Sequence, residues 1–236
     1  MLLSKLTPCL ALLIALSILL AGCAGRRLPN LEAIFAAAKE RKGKRPVIII
    51  PGILGSELVN EQTGETAWLN FYPVKGDDLA LPISPRLAEN RDALVARRII
   101  ERARVFSLLP EVSVYEALIG AMQNYGGYRE ASWENPPADG DRDTFYVFAY
   151  DWRRDNVENA RLLVRKIEEL KRKLSEPNLR FNVIAHSMGG LITRYAAMYG
   201  DADLPADGTA KPAPTWAGAK NFNRVFMFGV PNEGSM

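Results

Sequence analysis

Short apolar runs alternate with amphipathic stretches along most of this 236-residue sequence. Val47–Ile50 is a continuous β-branched run that ends at Pro51 and Gly52. Such a run is typical of a strand buried on both faces of a parallel sheet. Similar runs predict three further strands, at Phe145–Ala149, Phe181–Ala185 and Val225–Phe228.

Amphipathic stretches between these runs predict helices. Asp155 and Glu158 form a pair like a capping box in front of an apolar stripe, which predicts a helix over Asn156–Leu174. Strands that alternate with helices imply βαβ units, so the predicted fold class is α/β with a mostly parallel sheet and flanking helices. The other predicted helices are Leu31–Arg41, Val114–Tyr125 and Met188–Tyr199.

Two segments do not fit this alternation of strands and helices, and a third stands out by its charge. Val59–Leu108 contains Trp68 and several prolines, and we interpret it as either an excursion over the functional site or an irregular connection. Ala202–Ala219 is rich in Ala, Pro and Gly and is predicted to be a surface loop. The basic run Lys39–Arg45 is either a solvated helix end or a contact with a membrane surface.

The N-terminus has the pattern of a targeting segment. Lys5 is its only charge, and the dense apolar run Leu10–Ala21 has 12 residues. A membrane span needs about 20 residues, so a signal peptide is favoured over a transmembrane anchor. Leu20–Cys23 (LAGC) resembles the bacterial lipobox, which predicts cleavage before Cys23 and its lipidation. Acyl chains on Cys23 would tether the protein to the bacterial cell envelope, with the outer membrane preferred because no acidic residue follows directly.

The segment after the third predicted strand carries the clearest chemical signal. Ile184–Gly190 (IAHSMGG) matches the nucleophile elbow G-x-S-x-G, with Ala185 in the first small position. This turn lifts a serine hydroxyl to the top of the sheet and aims the next N–H at developing negative charge. We therefore predict that Ser187 is the catalytic nucleophile and that Met188 supplies an oxyanion donor. The alternative for Ser187 is an ordinary helix N-cap.

A glycine-rich turn, Pro51–Ser56 (PGILGS), follows the first predicted strand. In enzymes with a nucleophile elbow, the loop at this place gives the second oxyanion donor. We predict that the N–H of Ile53 is this donor, with Leu54 as the second choice. Taken alone, the segment is also compatible with a plain turn. A phosphate-binding loop is disfavoured because no Gly-Lys-Ser/Thr pattern follows.

Composition and charge limit the partners. Lys and Arg number 30 against 27 Asp and Glu, and the formal charge of +3 is too small to indicate nucleic acid binding. Two Cys and one His exclude a four-cysteine or multi-histidine metal site. We expect no metal and no cofactor. The expected partners are a membrane, through the lipid anchor, and a lipid or lipid ester substrate.

The motifs together resemble those of the lecithin:cholesterol acyltransferase family. Val47–Leu58 (VIIIPGILGSEL), Tyr150–Arg153 (YDWR) and Ala185–Gly190 occur in the family's order, and Gly229–Ser235 is similar to its Gly-Thr-Pro-x-x-Gly-Ser. The elbow is shared by many lipases, whereas YDWR is more selective. The resemblance implies an α/β-hydrolase fold and an acyl-serine intermediate formed from a phospholipid or neutral lipid. The acyl group then passes to an alcohol or to water.

The YDWR residues have two interpretations. The favoured one is structural: Asp151 and Arg153 pair at the strand end, and Trp152 packs in the core. The alternative is direct contact with a lipid head group.

The catalytic base does not follow from these motifs. A nucleophilic serine needs an imidazole and a carboxylate that orients it. The only histidine, His186, precedes Ser187 and is predicted to pack beside the site. In α/β-hydrolases the chain order is Ser, Asp/Glu, His, so we expect both partners beyond residue 236. The sequence is then a fragment whose sheet stops before its last strands and which is inactive by itself; a degenerate homologue is the alternative.

These inferences give one predicted organisation. Residues 1–22 are a lipoprotein signal peptide, 23–44 a lipidated tether with a short helix, and 45–236 an incomplete α/β-hydrolase domain with a lid or cap excursion at 59–108. The predicted function is lipid O-acyltransfer or lipid acyl-ester hydrolysis. The alternatives are a triacylglycerol lipase or carboxylesterase, and a non-catalytic lipid-binding lipoprotein.

Overall fold

A computed structural model describes residues 29–69, 79–85, 89–103, 112–138, 140–204 and 213–234. The predicted signal peptide and Cys23 lie outside these residues. The chain divides into two units, residues 1–36 and 37–236. None of the helices in the described ranges is long and apolar enough to cross a membrane.

The helices lie close to their predicted positions. The side chain of Asn30 accepts a hydrogen bond of 3.0 Å from the amide of Ala33 and so caps the first helix. Asp155 caps the third helix by accepting 2.7 Å from the amide of Val157. The helices are α1 (Leu31–Glu40), α2 (Glu116–Asn124), α3 (Asn156–Lys173) and α4 (Met188–Tyr199), with a 3₁₀ turn at Ala219–Asn221.

Ten strands are present in the described part of the chain. They are β1 (Val47–Ile50), β2 (Ser56–Asn60), β3 (Thr66–Trp68), β4 (Leu94–Ile99), β5 (Arg102–Ala103), β6 (Val112–Ser113), β7 (Arg129–Glu130), β8 (Thr144–Val147), β9 (Phe181–His186) and β10 (Phe222–Phe228). The central sheet has five strands in the order β10-β9-β1-β8-β7, and all of its pairings are parallel. With helices flanking this sheet, the fold is α/β, as predicted.

The β-branched run of β1 is explained by burial on both faces of the sheet. Ile48 and Ile50 point into a core shared with α3 and α4. Val47 and Ile49 point into a second core that contains Ile119 of α2. Because successive strand residues face opposite sides, a strand between two cores has no polar face.

Part of the segment over 59–108 is regular, so an irregular connection is the wrong interpretation for that part, and the excursion over the functional site stays a prediction. Residues 56–60, 66–68 and 94–99 form an antiparallel sheet in the order β3-β2-β4. The pattern was missed because Arg97 and Arg98 interrupt β4 with exposed side chains. The last predicted strand also begins earlier than expected, at Phe222. The polar Asn223 and Arg224 separate Phe222 from the apolar run that begins at Val225, so the sequence pattern marked only the second part of the strand.

One residue of the basic run is buried, so a solvated helix end is the wrong interpretation for Lys44. Its side chain lies 3.7 Å from the carboxylate of Asp143 and is 3% exposed. The ammonium group also donates to the carbonyl oxygens of Lys39 and Gly127. It therefore stabilises the C-terminal end of α1 against the segment before β7.

Strand order locates the crevice where a ligand can bind. The chain passes from β1 to β8 on one side and then returns to β9 on the other side of β1. Loops that leave the carboxyl ends of β1 and β9 therefore run in opposite directions. In open α/β sheets, such a switch point is where ligands bind. Both the glycine-rich turn and Ser187 lie at this point.

Candidate active site

Ser187 occupies a strained turn between β9 and α4. Its backbone has φ 50° and ψ −124°, a conformation that non-glycine residues rarely adopt. The turn is fixed because the amide of Ser187 donates 2.9 Å to the carbonyl of Phe228, and the amide of Gly190 donates 2.9 Å to that of Ser187. The hydroxyl caps no amide of α4, so the N-cap interpretation has no support.

The small residues of the elbow let helix α4 start directly against the end of β1. A Cβ on Gly189 would lie 2.5 Å from the carbonyl oxygen of Pro51 and 2.7 Å from that of Ile50. A Cβ on Gly190 would overlap the side chain of Val230. Ala185 is fully buried in the core. Larger side chains at these three positions would push the helix away and move Ser187.

The glycine-rich turn lies against the nucleophile. The amide of Gly55 donates 3.1 Å to the carbonyl of Gly52, and Leu54 has φ 63°, which closes a tight turn. A Cβ on Gly52 would lie 2.9 Å from Cβ of Ser187 and 3.0 Å from Nδ1 of His186. Glycine is therefore required at position 52 for this approach.

Most of the turn is held by hydrogen bonds from three directions. The Tyr150 hydroxyl donates 2.9 Å to the carbonyl of Pro51, and the Trp68 indole donates 2.9 Å to that of Leu54. The amide of Ile100 donates 2.9 Å to the carbonyl of Gly55. By contrast, the amides of Ile53 and Leu54 have no acceptor among the described residues. Ile53 itself is 55% exposed, so this part of the turn lies at the surface.

The predicted oxyanion donors thus come from two elements that meet at Ser187. Met188 is the first residue of α4, where the amide has no carbonyl four residues before it within the helix. Ile53 follows Gly52, whose Cα packs against Ser187. Two uncommitted amides beside a serine hydroxyl are the arrangement that stabilises a tetrahedral oxyanion.

The YDWR residues brace the turn and the segment before β4. The amide of Tyr150 donates 3.2 Å to the hydroxyl of Ser56, and the Trp152 indole donates 3.1 Å to the Ser56 carbonyl. Arg153 forms two hydrogen bonds with Asp151 and two with Asp92, all between 2.7 and 2.9 Å. The structural interpretation of Asp151 and Arg153 is therefore confirmed.

Ion pairing shifts the pKa values of Arg153 and Asp92. Burial lowers the pKa of Arg153, but its hydrogen bonds with Asp151 and Asp92 outweigh this effect and raise it overall. Burial raises the pKa of Asp92, and the opposing hydrogen bonds from Arg153 and the amide of Leu94 leave it lowered overall. Both groups therefore stay charged at neutral pH, and the link between Asp92 and the end of β8 persists.

His186 is held by a residue that sequence reasoning missed. Its Nδ1 lies 2.7 Å from the hydroxyl of Tyr115, which also accepts 2.8 Å from the amide of Gly52. The two rings meet edge to face, with centroids 5.8 Å apart. Nε2 of His186 lies on the side of Gly229. Tyr115 carried no sequence signal, because it is 71 residues from His186 and sits before α2 in no recognisable motif.

The site combines an elbow serine at the switch point of a parallel sheet with a hydrogen-bonded turn in which two amides have no acceptor within the described part of the chain. This combination defines an α/β-hydrolase. The family model described as lecithin:cholesterol acyltransferase matches residues 140–235, a stretch that contains the YDWR motif and the elbow. Over this stretch the chain is similar to the lecithin:cholesterol acyltransferase family, which confirms the resemblance drawn from its motifs. Members of this family are acyltransferases and esterases. A search of the curated proteins gave no match to the chain.

Proposed function

We propose that the protein transfers or hydrolyses acyl esters of lipids through an acyl-enzyme intermediate on Ser187. The main support for this proposal is the close approach of two turns. The strained turn at Ser187 lies directly against the glycine-rich turn. The family supplies the chemical class, since its members act on acyl esters.

The reaction has two halves. The Oγ of Ser187 attacks the ester carbonyl carbon, and the carbonyl oxygen becomes an oxyanion that accepts hydrogen bonds from the amides of Met188 and Ile53. The C–O bond to the leaving alcohol then breaks, the alcohol takes a proton, and the acyl group remains on Ser187. In the second half an acceptor alcohol or water attacks this acyl group and releases Ser187.

The base that removes the serine proton is not His186 in this proposal. His186 is the only histidine in the 236 residues, and Tyr115 engages its Nδ1 on the side of the turn. We assign the role to an imidazole beyond residue 236, oriented by a carboxylate. Reading the coding sequence after codon 236 tests this assignment. A stop codon there in a protein that still hydrolyses esters would refute it.

The substrate is placed at a membrane by the N-terminal segment. Cys23 in the lipobox-like sequence LAGC would carry acyl chains, and two or more chains make membrane attachment stable. A tethered enzyme meets phospholipids and other lipid esters without leaving the bilayer. We therefore propose membrane lipids as acyl donors.

The test uses the full-length protein with phospholipid vesicles, with and without a long-chain alcohol. Ser187→Ala should remove nearly all turnover and all labelling by a fluorophosphonate, since triad serines account for about 10⁶-fold in kcat. Ser132→Ala is the matched control, because the Ser132 hydroxyl serves only an exposed turn. Labelling of another serine would contradict the proposal.

Product analysis then separates the functions. An ester of the added alcohol indicates acyltransfer, and fatty acid alone indicates hydrolysis. Turnover of short soluble esters but not of vesicles indicates a carboxylesterase. Lipid binding without turnover in the wild type indicates a non-catalytic protein.

A further inference from the structure

Tyr115 joins the glycine-rich turn to the residue in front of the nucleophile. Its ring is buried and packs on the turn, since a Cβ on Gly55 would lie 3.1 Å from Cε2 of Tyr115. Its hydroxyl reaches the other end of the turn and accepts the hydrogen bond from the amide of Gly52. One side chain therefore contacts both ends of a four-residue turn.

The amide of Gly52 can only donate, so the Tyr115 oxygen accepts from it. The described residues give the Tyr115 proton no acceptor other than Nδ1 of His186, so we assign the donation to Nδ1 and the imidazole proton to Nε2. Burial raises the pKa of Tyr115, so the hydroxyl keeps its proton at neutral pH. The result is a chain from the Gly52 amide through Tyr115 to His186.

We propose that Tyr115, oriented by His186, is a positioning residue that holds the glycine-rich turn so that the amide of Ile53 faces the oxyanion at Ser187. The inference rests on the proposed function. Tyr115 touches neither substrate nor reacting atoms in this role; it acts through Gly52, the residue before Ile53.

Burial makes the hydroxyl necessary. Gly52 is buried, so without Tyr115 its N–H has no acceptor and the turn must shift to find one. A Cβ on Gly52 would lie 2.9 Å from Cβ of Ser187, so the backbone of Gly52 is close to the nucleophile and a shift of Gly52 would also displace Ser187. Displacements of about 1 Å in a catalytic arrangement can cost about 10²-fold in rate.

His186 gains a role from the same geometry. It is exposed and stands next to Ser187, yet its Nδ1 is turned toward Tyr115. Without an acceptor at Nδ1, the Tyr115 hydroxyl loses one of its two partners, and the ring is held less firmly where its oxygen accepts from Gly52. A side chain with an acceptor at the position of Nδ1 should therefore replace histidine, whereas an apolar side chain should not.

The variants separate the hydroxyl from the ring. Tyr115→Phe keeps the packing on Gly55 and removes the hydroxyl. His186→Leu removes the acceptor, and His186→Asn restores one near Nδ1. Tyr195→Phe is the matched control, because it removes a tyrosine hydroxyl that donates to the backbone carbonyl of Ala202, away from the turn.

Two measurements on the full-length protein are compared. Hydrogen exchange at the amide of Gly52 should be faster by about tenfold or more in Tyr115→Phe and His186→Leu, and unchanged in Tyr195→Phe. Hydrolysis of a soluble ester should show kcat lower by about 10- to 100-fold, with KM within about twofold, because the lost interaction acts in the transition state. The double variant should be no slower than either single one, and His186→Asn should recover most of kcat.

An unchanged rate of hydrogen exchange at the amide of Gly52 in Tyr115→Phe would overturn the proposal. A higher KM with unchanged kcat in the same variant would also overturn it. Full activity in His186→Leu would remove the role of His186. Failure of the proposed function is distinguishable, because it would appear as turnover retained in Ser187→Ala. The exchange measurement tests the positioning of the turn whether or not Ser187 is the nucleophile.

Discussion

The hydroxyl of Tyr150 donates a hydrogen bond of 2.9 Å to the carbonyl oxygen of Pro51, 99 residues earlier in the chain. This bond connects the YDWR motif with the turn that lies against Ser187. Burial raises the pKa of Tyr150 well above its usual range, so the hydroxyl remains a donor. In this chain the YDWR motif thus helps to hold the backbone next to Ile53, the proposed second oxyanion donor.

Tyr150→Phe should therefore lower both stability and activity. Removing the hydroxyl leaves the buried Pro51 carbonyl without its donor, which costs about 1–3 kcal/mol of unfolding free energy. Urea unfolding measures this change. Ester hydrolysis should fall by about tenfold or more in kcat at temperatures where the variant is fully folded. Wild-type kcat in a folded variant would show that the turn needs no support from Tyr150.

Gly52→Val should abolish most activity without unfolding the protein. The added side chain starts 2.9 Å from Cβ of Ser187, so the turn has to move away and carries the Ile53 amide with it. Loss of one oxyanion donor costs about 2.7–4 kcal/mol at the transition state, and kcat/KM measures it.

The control for this substitution is Gly120→Ala in α2. A Cβ there has only one ordinary contact, 3.7 Å from Asn124, so alanine should leave activity unchanged and stabilise the helix by up to about 1 kcal/mol. Full activity in a folded Gly52→Val protein would place the site elsewhere.

The pairing of Asp92 with Arg153 should make stability depend on pH in the acid range. The folded-state pKa of Asp92 is lowered, so its contribution is present above the unfolded pKa of about 4 and is lost as pH falls through the folded value. The difference in unfolding free energy between wild type and Asp92→Asn should shrink from pH 7 toward pH 3. Urea titrations at several pH values measure it. A difference that stays constant over this range would mean that the pair contributes no pH-dependent stability.

Cys23→Ser should leave an uncut precursor without acyl chains, because the lipobox-like sequence requires the thiol for both modification and cleavage. Mass spectrometry of the N-terminus and membrane fractionation check this outcome. A wild-type protein that begins at another residue, with no acyl mass, would rule out the lipoprotein prediction. The hydrolase activity should be retained on soluble esters, since Cys23 is not part of the proposed site.

Local patterns predicted the parts of the site that are continuous in sequence. The elbow needs small residues next to Ser187, and the helix that follows it, Met188–Tyr199, was predicted with its observed ends. The β-branched run Val47–Ile50 was equally clear, because both of its faces are buried. The elbow and the buried strand depend on residues that are close in sequence, so a local sequence pattern is enough to predict them.

Contacts over long sequence distances were not predictable in the same way. Tyr115 reaches His186 and Gly52 from in front of α2, and no spacing rule marks a single tyrosine. Lys44 was placed in a basic run, but Asp143, 99 residues away, accounts for its burial. The three-stranded sheet was hidden because β3 has only three half-buried residues and β4 has two exposed residues in succession, so neither strand alternates regularly.

The braced turn has a consequence for how the protein responds to denaturant. Its hydrogen-bond partners come from separate structural parts: Tyr150 from the segment after β8, Trp68 and Ile100 from β3 and the residue after β4 in the small antiparallel sheet, and Tyr115 from the residue before α2. Loosening the antiparallel sheet or the start of α2 would release the turn while the five-stranded sheet remains intact. Inactivation would then precede the loss of most secondary structure, and enzymatic rate would report the integrity of the less stable of these two parts.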